Sequence, residues 1–479
     1  MMIVLIVMAG LALLSLTVFG LGYFVSSMWE REGRASVFSG AQFVILTALT
    51  AFFIYLWAMG FFDSGAGSAV LIIGLVLLVA GTFFIVRKSG TNPKALEGTK
   101  GMIVGDVDRH DEREIVFSRN RHLSPGTDEY KEFYEKHPQW EEIDARRREA
   151  GGPMGGFGSI DRPNEEPNMA ALIAASFHVM SMAGKDKRMP PAVLRWREQD
   201  HNMDPAEASE RVKGFARRLG AVQVGITEIN PLWIYSHRGQ ADVQEDGQGY
   251  GKPINTDHKY AIMIAMEMAY EMVRTAPHTP TSIESMINYS KGATIAVQLA
   301  SFVSSLGSPA EAHHLAHYDG LMVPLAVDAG LGELSRMGYL LSKEFGPRIR
   351  LGAVTTNLPL KPDKPLDIGV KDFCDVCKKC AVCCPSGSIP MDDPVEINGT
   401  LRWKLNAETC FEYWGKVGTD CNVCMRVCPW SHARTLPHKL IVEMVSRNKA
   451  ARRLFNYMDD IFYGRKPKPK AVAKWAKYD

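Results

Sequence analysis

Cysteine is absent from the first 373 residues of this 479-residue chain, and all nine cysteines fall between positions 374 and 428. Disulfides therefore cannot stabilise the long N-terminal part. Thiols confined to so short a segment indicate ligands of a metal centre rather than a disulfide framework.

Charge is absent from three long runs near the N-terminus, at 1–29, 35–62 and 64–86. Each run exceeds the ~20 apolar residues that a helix needs to cross a bilayer. A helical hairpin buried in a soluble core is the alternative, but three such runs in succession argue against it. The sequence predicts a three-helix membrane anchor at 1–90.

A basic region or twin-arginine pair before the first run is missing too, so we expect no cleavable export signal. The loop after this run carries Arg31 and Arg34, and Arg87 and Lys88 follow the third run. By the positive-inside rule, this loop and the chain beyond Arg87 face the cytoplasm. We therefore predict a multi-pass protein of the cytoplasmic (inner) membrane with its C-terminal part on the cytoplasmic side.

A strong basic excess is missing too, since the formal net charge is only +2, and this argues against general nucleic-acid binding. Residues 91–204 are polar and predict a linker and N-terminal extension. Between 205 and 365, strand patterns such as "VQVGITEI" and "KYAIMIAMEM" alternate with helical patterns, which predicts a layered α/β domain. We place the cysteine module at 366–435. A C-terminal helix and a basic tail follow at 436–479, and the tail is expected to contact anionic membrane lipid.

The cysteines form two runs that each end in Cys-Pro, as in bacterial ferredoxins with two [4Fe–4S] clusters. Because the fourth cysteine of each run ligates the other cluster, the ligands cross over. The first predicted cluster takes Cys374, Cys377, Cys380 and Cys428, and the second takes Cys384, Cys410, Cys421 and Cys424. Zinc is the alternative metal, but a zinc site usually takes its four ligands from two C-x2-C pairs, and it does not call for two runs that each end in Cys-Pro. Cys383 remains as a small apolar residue.

The segment "VPLAVDAGLGELSRMGYLLSKEFGPRIRLGAV", followed at once by the first cysteine run, resembles the cobalamin-dependent reductive dehalogenases. The resemblance extends from "LGAVQVGITEI" to Pro429. It implies a nitroreductase-like α/β (α+β) domain that binds base-off cobamide, reduced by the two clusters. No D-x-H-x-x-G pattern occurs that would supply a histidine ligand to cobalt.

The family pattern also implies a tyrosine proton donor beside a cation, and the matching residues are Tyr289 and Arg350, which fits better than Arg348. A permanent guanidinium charge stabilises the phenolate left after proton donation. The alternative is a purely structural role, with Tyr289 as a core residue at the start of a helix and Arg350 as a charged residue at a strand edge.

His317 occupies a position where some relatives carry asparagine, so it is the rival proton donor. We predict that His317, Tyr318 and Trp414 contact the cofactor or the substrate. The alternatives are a solvated loop for the histidine and packing against the clusters for the tryptophan.

Respiratory members of this family pair with a separate three-helix anchor protein, and "WEREG" after the first apolar run resembles its Glu-x-Glu element; the alternative is an ordinary charged loop. The resemblance therefore implies a self-anchored reductive dehalogenase that acts on an organohalide. Its electron donor is a quinol or a ferredoxin or flavodoxin, and a homodimer is left open. Two alternatives remain: an enzyme similar to epoxyqueuosine reductase, and a membrane iron–sulfur subunit that only transfers electrons.

Overall fold

The computed structural model describes residues 2–150, 170–175, 203–239, 249–315 and 317–476. It contains two compact units, each assembled from separate stretches of chain. Unit 1 comprises Met1–Thr91, Ile368–Cys377 and His432–Pro467, and unit 2 comprises Asn92–Asp367, Lys378–Ser431 and Lys468–Asp479. Residues 151–169 and 176–202 of the predicted polar linker lie outside the described residues.

Unit 1 is helical in its described part. Its helices are α1 (Met2–Trp29), α2 (Gly33–Ala58), α3 (Gly65–Val86), α11 (Val370–Cys377), α15 (Leu436–Arg447) and α16 (Lys449–Tyr463). Two of them begin at side-chain caps: Ser64 accepts a hydrogen bond from Gly67 N at the start of α3, and Asn448 accepts one from Ala451 N at the start of α16.

Helices α1, α2 and α3 are 28, 26 and 22 residues long and are apolar enough to cross a membrane. Many of their large apolar side chains are exposed, including Val37, Leu77 and Phe84 at 71%, 67% and 66%. A soluble surface rarely carries so large an apolar area, whereas a lipid-facing surface requires it. The three apolar helices predicted at 1–90 are confirmed.

Unit 2 carries the remaining named elements. Its helices are α4 (Val116–His122), α5 (Asp128–Lys136), α6 (Pro138–Glu149), α7 (Pro205–Leu219), α8 (Tyr270–Val273), α9 (Thr279–Ser305), α10 (Met322–Asp328), α12 (Lys379–Cys383), α13 (Ala407–Val417) and α14 (Val423–Val427). Its strands are β1 (Gln223–Glu228), β2 (Tyr260–Glu267), β3 (Ala310–His313), β4 (Glu333–Leu334), β5 (Leu340–Leu341), β6 (Ile349–Thr356), β7 (Val395–Ile397) and β8 (Thr400–Arg402).

The central sheet of unit 2 has the order β1-β2-β6-β3, and each neighbouring pair is antiparallel. Successive residues of a strand point to opposite faces. Ile262, Ile264 and Val354 therefore pack on the face that α7 and α9 cover, and Met263 and Ala353 pack on the opposite face. Both faces are buried, which explains the continuous apolar pattern of β2.

Helix α9 begins earlier than the sequence pattern alone suggests. It starts at Thr279 with Pro280 in its first turn, where proline's fixed φ angle suits a helix and no hydrogen bond is lost. Tyr289 therefore lies in the middle of a 27-residue helix rather than at the start of one.

The cysteine-rich part of unit 2 contains short helices joined by tight turns. Lys378, Cys421 and Asn422 have positive φ angles of 52°, 60° and 52°. Non-glycine residues seldom adopt this left-handed conformation, and it is retained where the surrounding structure holds the chain, often at functional sites.

Candidate active site and thiol clusters

Tyr289 and Arg350 come together between α9 and β6. In the sheet register Arg350 lies opposite Met266, so its side chain emerges on the face that α9 covers. The guanidinium carbon lies 5.3 Å from the centroid of the Tyr289 ring, which is cation–π geometry. The hydroxyl of Tyr289 forms no hydrogen bond with any residue that the structure describes.

Arg350 is buried at 8% exposure and is bound by three polar side chains. Its Nη2 donates to Ser285 Oγ at 2.7 Å, to Asp420 Oδ2 at 3.3 Å and to Asn422 Oδ1 at 3.5 Å. Burial acts to lower the pKa of the guanidinium, but Tyr289 and Asp420 outweigh it and raise that pKa. Arg350 is therefore a fixed cation, and its buried Nε has no hydrogen-bond partner among the described residues.

Arg348, the alternative cation, is engaged elsewhere. It donates to the Ser431 and Met268 carbonyl oxygens at 3.0 and 2.6 Å and to Glu267 at 3.2 Å. Its guanidinium lies over Tyr270. The structure thus brings Arg350, and not Arg348, to Tyr289.

His317 lies in a different polar group. Its ring stacks near His313 at 6.0 Å between centroids, and His313 Nε2 lies 2.9 Å from Thr355 Oγ1. Thr355 is five residues from Arg350 on β6, so the two side chains point to opposite faces of the sheet. None of the contacts seen in the described residues joins His317 to Tyr289 or Arg350, and its catalytic role stays a prediction.

The group around His317 has metal-binding composition, since ligand atoms of His313, His317 and Asp319 lie within 4.8 Å of one another. A cation is already present there, however. Arg238 forms an ion pair with Asp319, and its Nη1 lies 3.4 Å from His317 Nδ1. This guanidinium compensates the carboxylate that a metal ion would otherwise bind.

Tyr318 and Trp414 pack in two separate places. Tyr318 lies 6.0 Å from the ring of Tyr235, beside an apolar cluster. Trp414 lies 5.7 Å from both Phe117 and Phe411, and its indole hydrogen bond lowers the pKa of the Cys410 thiol against the larger effect of burial. Trp414 therefore packs beside a predicted cluster ligand, and its contact with a cofactor stays a prediction.

Four thiols of unit 2 influence one another electrostatically: Cys384, Cys410, Cys421 and Cys424. Cys380 acts on Cys424 as well. Burial and the neighbouring thiolates raise the pKa of Cys410 to about 11, that of Cys421 to about 12 and that of Cys424 well above its usual range. Burial also acts to raise the pKa of Cys384, but hydrogen bonds from Ser386 and from backbone N–H groups lower it. A buried group of mutually repelling thiolates needs positive charge, which iron supplies.

The other predicted ligand set is divided along the chain. Cys374 and Cys377 lie on α11 of unit 1, and Cys380 and Cys428 belong to unit 2. All four are buried, while Cys383 is only half-buried. None of the nine cysteines, all of which are among the described residues, forms a disulfide. The ligation of the first cluster by this set stays a prediction.

Comparison with known sequence families identifies the cysteine module. A family described as a 4Fe-4S dicluster domain matches residues 373–432. This match includes all nine cysteines and confirms the prediction of two [4Fe–4S] clusters.

Longer stretches of the chain are similar to reductive dehalogenases. The chain is 33% identical over 294 residues to the tetrachloroethene reductive dehalogenase of Sulfurospirillum multivorans, which covers 55% of this chain and 58% of that protein. A solved reductive dehalogenase, studied for B12-dependent dehalogenation, superposes with a TM-score of 0.60 and 26% identity over 80% of this chain and 49% of that one. A catabolic reductive dehalogenase in complex with 3-bromo-4-hydroxybenzoic acid superposes with a TM-score of 0.59 and 26% identity. The match covers 79% of this chain and 49% of that one.

This chain resembles the reductive dehalogenases in sequence and fold. The predicted resemblance and fold class are confirmed, although the chain spans only about half the length of these relatives. The similarity to the epoxyqueuosine reductase of Lactococcus garvieae is 32% identity over 114 residues, or 23% of this chain. The reductive dehalogenase likeness is therefore the more extensive of the two.

Sequence reasoning missed Ser285, Asp420 and Asn422, which surround the Arg350 guanidinium. A usable signal was present in "TDCNVC", where Asp420 and Asn422 flank Cys421, a predicted cluster ligand. Polar residues inside a buried cysteine motif must find partners, and here one of these partners is Arg350.

Proposed function

We propose that this chain is a membrane-anchored reductive dehalogenase. The reaction replaces halogen by hydrogen, so that R–X, two electrons and one proton give R–H and X⁻. The observation that carries the proposal is the placement of the Arg350 guanidinium over Tyr289, whose hydroxyl is left unengaged by the described residues. This pair lies beside the Cys421 loop, in a chain similar to reductive dehalogenases over more than half its length.

Tyr289 is the proposed proton donor to the carbon that loses the halide. Donation leaves a phenolate, and a guanidinium fixed over the ring favours that anion. Asp420, Ser285 and Asn422 hold the guanidinium in place, so it needs no reorientation during the reaction. His317, on the other face of the sheet, is the alternative donor to be tested.

Cobamide fits this site. Two polar groups on the α9 face, the Tyr289 hydroxyl and Arg350 Nε, lack partners among the described residues, as expected where a cofactor or substrate completes the contacts. Bound cobamide would supply a low-potential cobalt centre as the source of electrons for the carbon–halogen bond, and His317, Tyr318 and Trp414 are the residues proposed to contact it. The thiols of Cys384, Cys410, Cys421 and Cys424 would hold one of the two clusters that deliver the electrons.

A groove in unit 1 supports a lipid-soluble quinol as the electron donor. It has a volume of about 660 Å³ and is lined mainly by apolar residues of α1, among them Leu14, Val18 and Phe19. Its polar end is formed by Ser26 and Thr435. A quinol combines an apolar ring and tail with two hydroxyl groups, which suits such a lining.

Beyond the polar end of the groove lies a hydrogen-bonded series of side chains. Ser26 Oγ is 2.8 Å from both Glu30 Oε1 and Thr435 Oγ1. His438 continues the series, with Nδ1 2.7 Å from Thr435 Oγ1 and Nε2 2.9 Å from Tyr463. Burial, assisted by His432, lowers the pKa of His438 to about 3, so the ring is neutral and can accept a hydrogen bond. A ferredoxin or flavodoxin would use none of these features.

The cobamide content of the purified protein tests the proposal. A reductive dehalogenase is expected to bind about one cobamide per chain after anaerobic reconstitution. An iron–sulfur subunit that only transfers electrons would bind the clusters and no cobamide. Cobamide together with turnover of an epoxyqueuosine-modified RNA, and no halide release, would instead support the epoxyqueuosine reductase alternative.

A further inference from the structure

The loop that carries Cys421 is attached to the helix that carries Tyr289. The hydroxyl of Thr419 donates to the Pro277 carbonyl oxygen at 2.7 Å, just before α9. The backbone N–H of Asp420 donates to Ser282 Oγ at 2.9 Å, and Asn422 Nδ2 lies 3.3 Å from Thr281 Oγ1. The first two turns of α9 thus hold the ligand loop.

The carboxylate of Asp420 is the centre of this attachment. It is 5% exposed, and each oxygen accepts a hydroxyl: Oδ1 from Ser282 at 2.7 Å and Oδ2 from Ser285 at 2.5 Å. The same Oδ2 forms an ion pair with Arg350 at 3.3 Å. A single side chain therefore contacts α9 and β6 while its backbone precedes Cys421.

Arg350 depends on this carboxylate for charge compensation. Asp420 is the carboxylate with which Arg350 forms an ion pair among the described residues. A buried guanidinium without a counter-charge is strongly unfavourable, so it would shift toward whatever acceptors remain. The acceptors that remain are Ser285 Oγ at 2.7 Å, the Ile349 carbonyl oxygen at 3.4 Å and Asn422 Oδ1 at 3.5 Å, and all of them are neutral.

We propose that Asp420 is a positioning residue that holds Arg350 over Tyr289 and so connects the proton donor to the Cys421 loop. The inference rests on the proposed function for the role of Tyr289, and it goes beyond that function by assigning Asp420. It also explains why the Cys421 loop is anchored on α9: the group that donates the proton and a ligand of the electron-delivering cluster are fixed by one carboxylate. The competing explanation is that Asp420 only anchors the loop.

Asp420→Asn keeps the shape of the side chain and removes its charge, and Asp363→Asn is the matched control. Asp363 is paired with Lys213 at 2.6 Å, also in unit 2, and contacts none of the site residues. In the full-length enzyme with clusters and cobamide loaded, Asp420→Asn is expected to retain its iron. It should lower kcat on the order of 10²-fold with little change in KM, as for a misplaced catalytic group. Asp363→Asn should leave kcat within about 2-fold of wild type.

Arg350→Gln provides a second test, a double-mutant comparison, because Asp420 is proposed to act through Arg350. In the Arg350→Gln background, Asp420→Asn should lower kcat by no more than a further 3-fold or so, a large departure from additivity. A full 10²-fold loss in that background would overturn the proposal. So would wild-type kcat in Asp420→Asn with Arg350 intact.

The midpoint potential of the cluster that Cys421 ligates gives a readout independent of dehalogenation. Loss of a negative charge should make the potential more positive in Asp420→Asn and loss of a positive charge more negative in Arg350→Gln. The double variant should return close to wild type, because Asp420 and Arg350 form a neutral pair. If the wild-type protein released no halide, the proposed function would fail, whereas unchanged potentials in all three variants would overturn the role of Asp420.

If Asp420→Asn loses iron, Ser285→Ala distinguishes the positioning role of Asp420 from a role only as an anchor of the loop. The Ser285 hydroxyl donates to Asp420 Oδ2 and accepts from Arg350 Nη2 and Asn422 Nδ2, and the substitution changes no residue of the cysteine loop itself. It should lower kcat at least 10-fold with full iron content. Wild-type kcat in this variant, together with iron loss in Asp420→Asn, would reduce Asp420 to an anchor of the loop.

Discussion

The guanidinium of Arg350 lies over the ring of Tyr289, with its carbon 5.3 Å from the ring centroid, although the two residues are 61 positions apart in the chain. The contact requires β6 and α9 to be packed face to face, which the sheet order β1-β2-β6-β3 and its apolar face provide. This relationship is the basis of the proposed acid chemistry.

Tyr289→Phe removes only the hydroxyl and keeps the ring under Arg350. Positioned general acids contribute roughly 10²–10⁴-fold to rate, so halide release should fall by that order while iron and cobamide stay bound. His317→Ala is the comparison: His317 lies with Arg238 and Asp319 and is a proposed cobamide contact, so any loss of activity should follow a lower cobamide content rather than the loss of a proton donor. Normal turnover of Tyr289→Phe with loss of turnover in His317→Ala would assign the acid to His317.

Arg350→Lys keeps a positive charge but loses the planar fork that contacts Ser285, Asp420 and Asn422 together. We expect a loss of halide release about 10-fold smaller than that of Tyr289→Phe, since the charge near the ring is partly retained. Steady-state kinetics on the loaded enzyme measure it. An Arg350→Lys enzyme as active as wild type would show that geometry at this position is unimportant.

Cys377→Ser and Cys383→Ser form a matched pair for the ligand assignment. The intact protein should bind about eight iron atoms per chain, from two tetranuclear clusters. Cys377→Ser should lose one cluster, whereas Cys383→Ser should keep about eight iron atoms. Iron analysis with electron paramagnetic resonance after anaerobic reconstitution checks both, and iron loss in Cys383→Ser would refute the crossed assignment.

Leu14→Trp fills the groove of unit 1, and Leu77→Trp places the same ring on the exposed surface of α3 as a control. In vesicles, quinol-dependent reduction of the clusters should slow on the order of 10-fold in Leu14→Trp, because overpacking opposes binding. Reduction by dithionite should be unaffected in both variants. Equal quinol-dependent rates in Leu14→Trp and Leu77→Trp would exclude the groove as the donor site.

The sidedness predicted from Arg31, Arg34, Arg87 and Lys88 is tested by reporters fused after Asp479. Alkaline phosphatase needs disulfides and should be inactive in the cytoplasm, where a fluorescent reporter should remain active. Active phosphatase at this position would place the C-terminal part outside and reverse the predicted topology.

Elements with strong periodicity could be predicted from the sequence, and residues joined only by tertiary packing could not. The uncharged runs gave α1, α2 and α3, and cysteine spacing gave the two clusters, because both depend on local pattern. The start of α9 at Thr279 was missed because Pro280, normally a helix breaker, occupies its first turn. Tyr289 and Arg350 came from the family resemblance rather than from any pattern within this chain.

Asp420 shows why the other residues of the site could not be predicted from the sequence. Its partners, Ser282, Ser285 and Arg350, are 138, 135 and 70 positions away, and no local periodicity reports such contacts. His317, the rival proton donor, lies with His313, which contacts Thr355, and strand alternation puts Thr355 on the face of the sheet opposite Arg350; its catalytic role stays a prediction. One residue of strand register decides that difference.

Halide release by the purified, cobamide-loaded protein tests the central claim most directly. Under anaerobic conditions with a low-potential reductant and a panel of chlorinated and brominated alkenes and phenols, we expect one halide ion and one R–H product for every two electrons consumed. Release should depend on cobamide and on the hydroxyl of Tyr289. Full loading with cobamide and both clusters, but no halide from any member of the panel, would contradict the account.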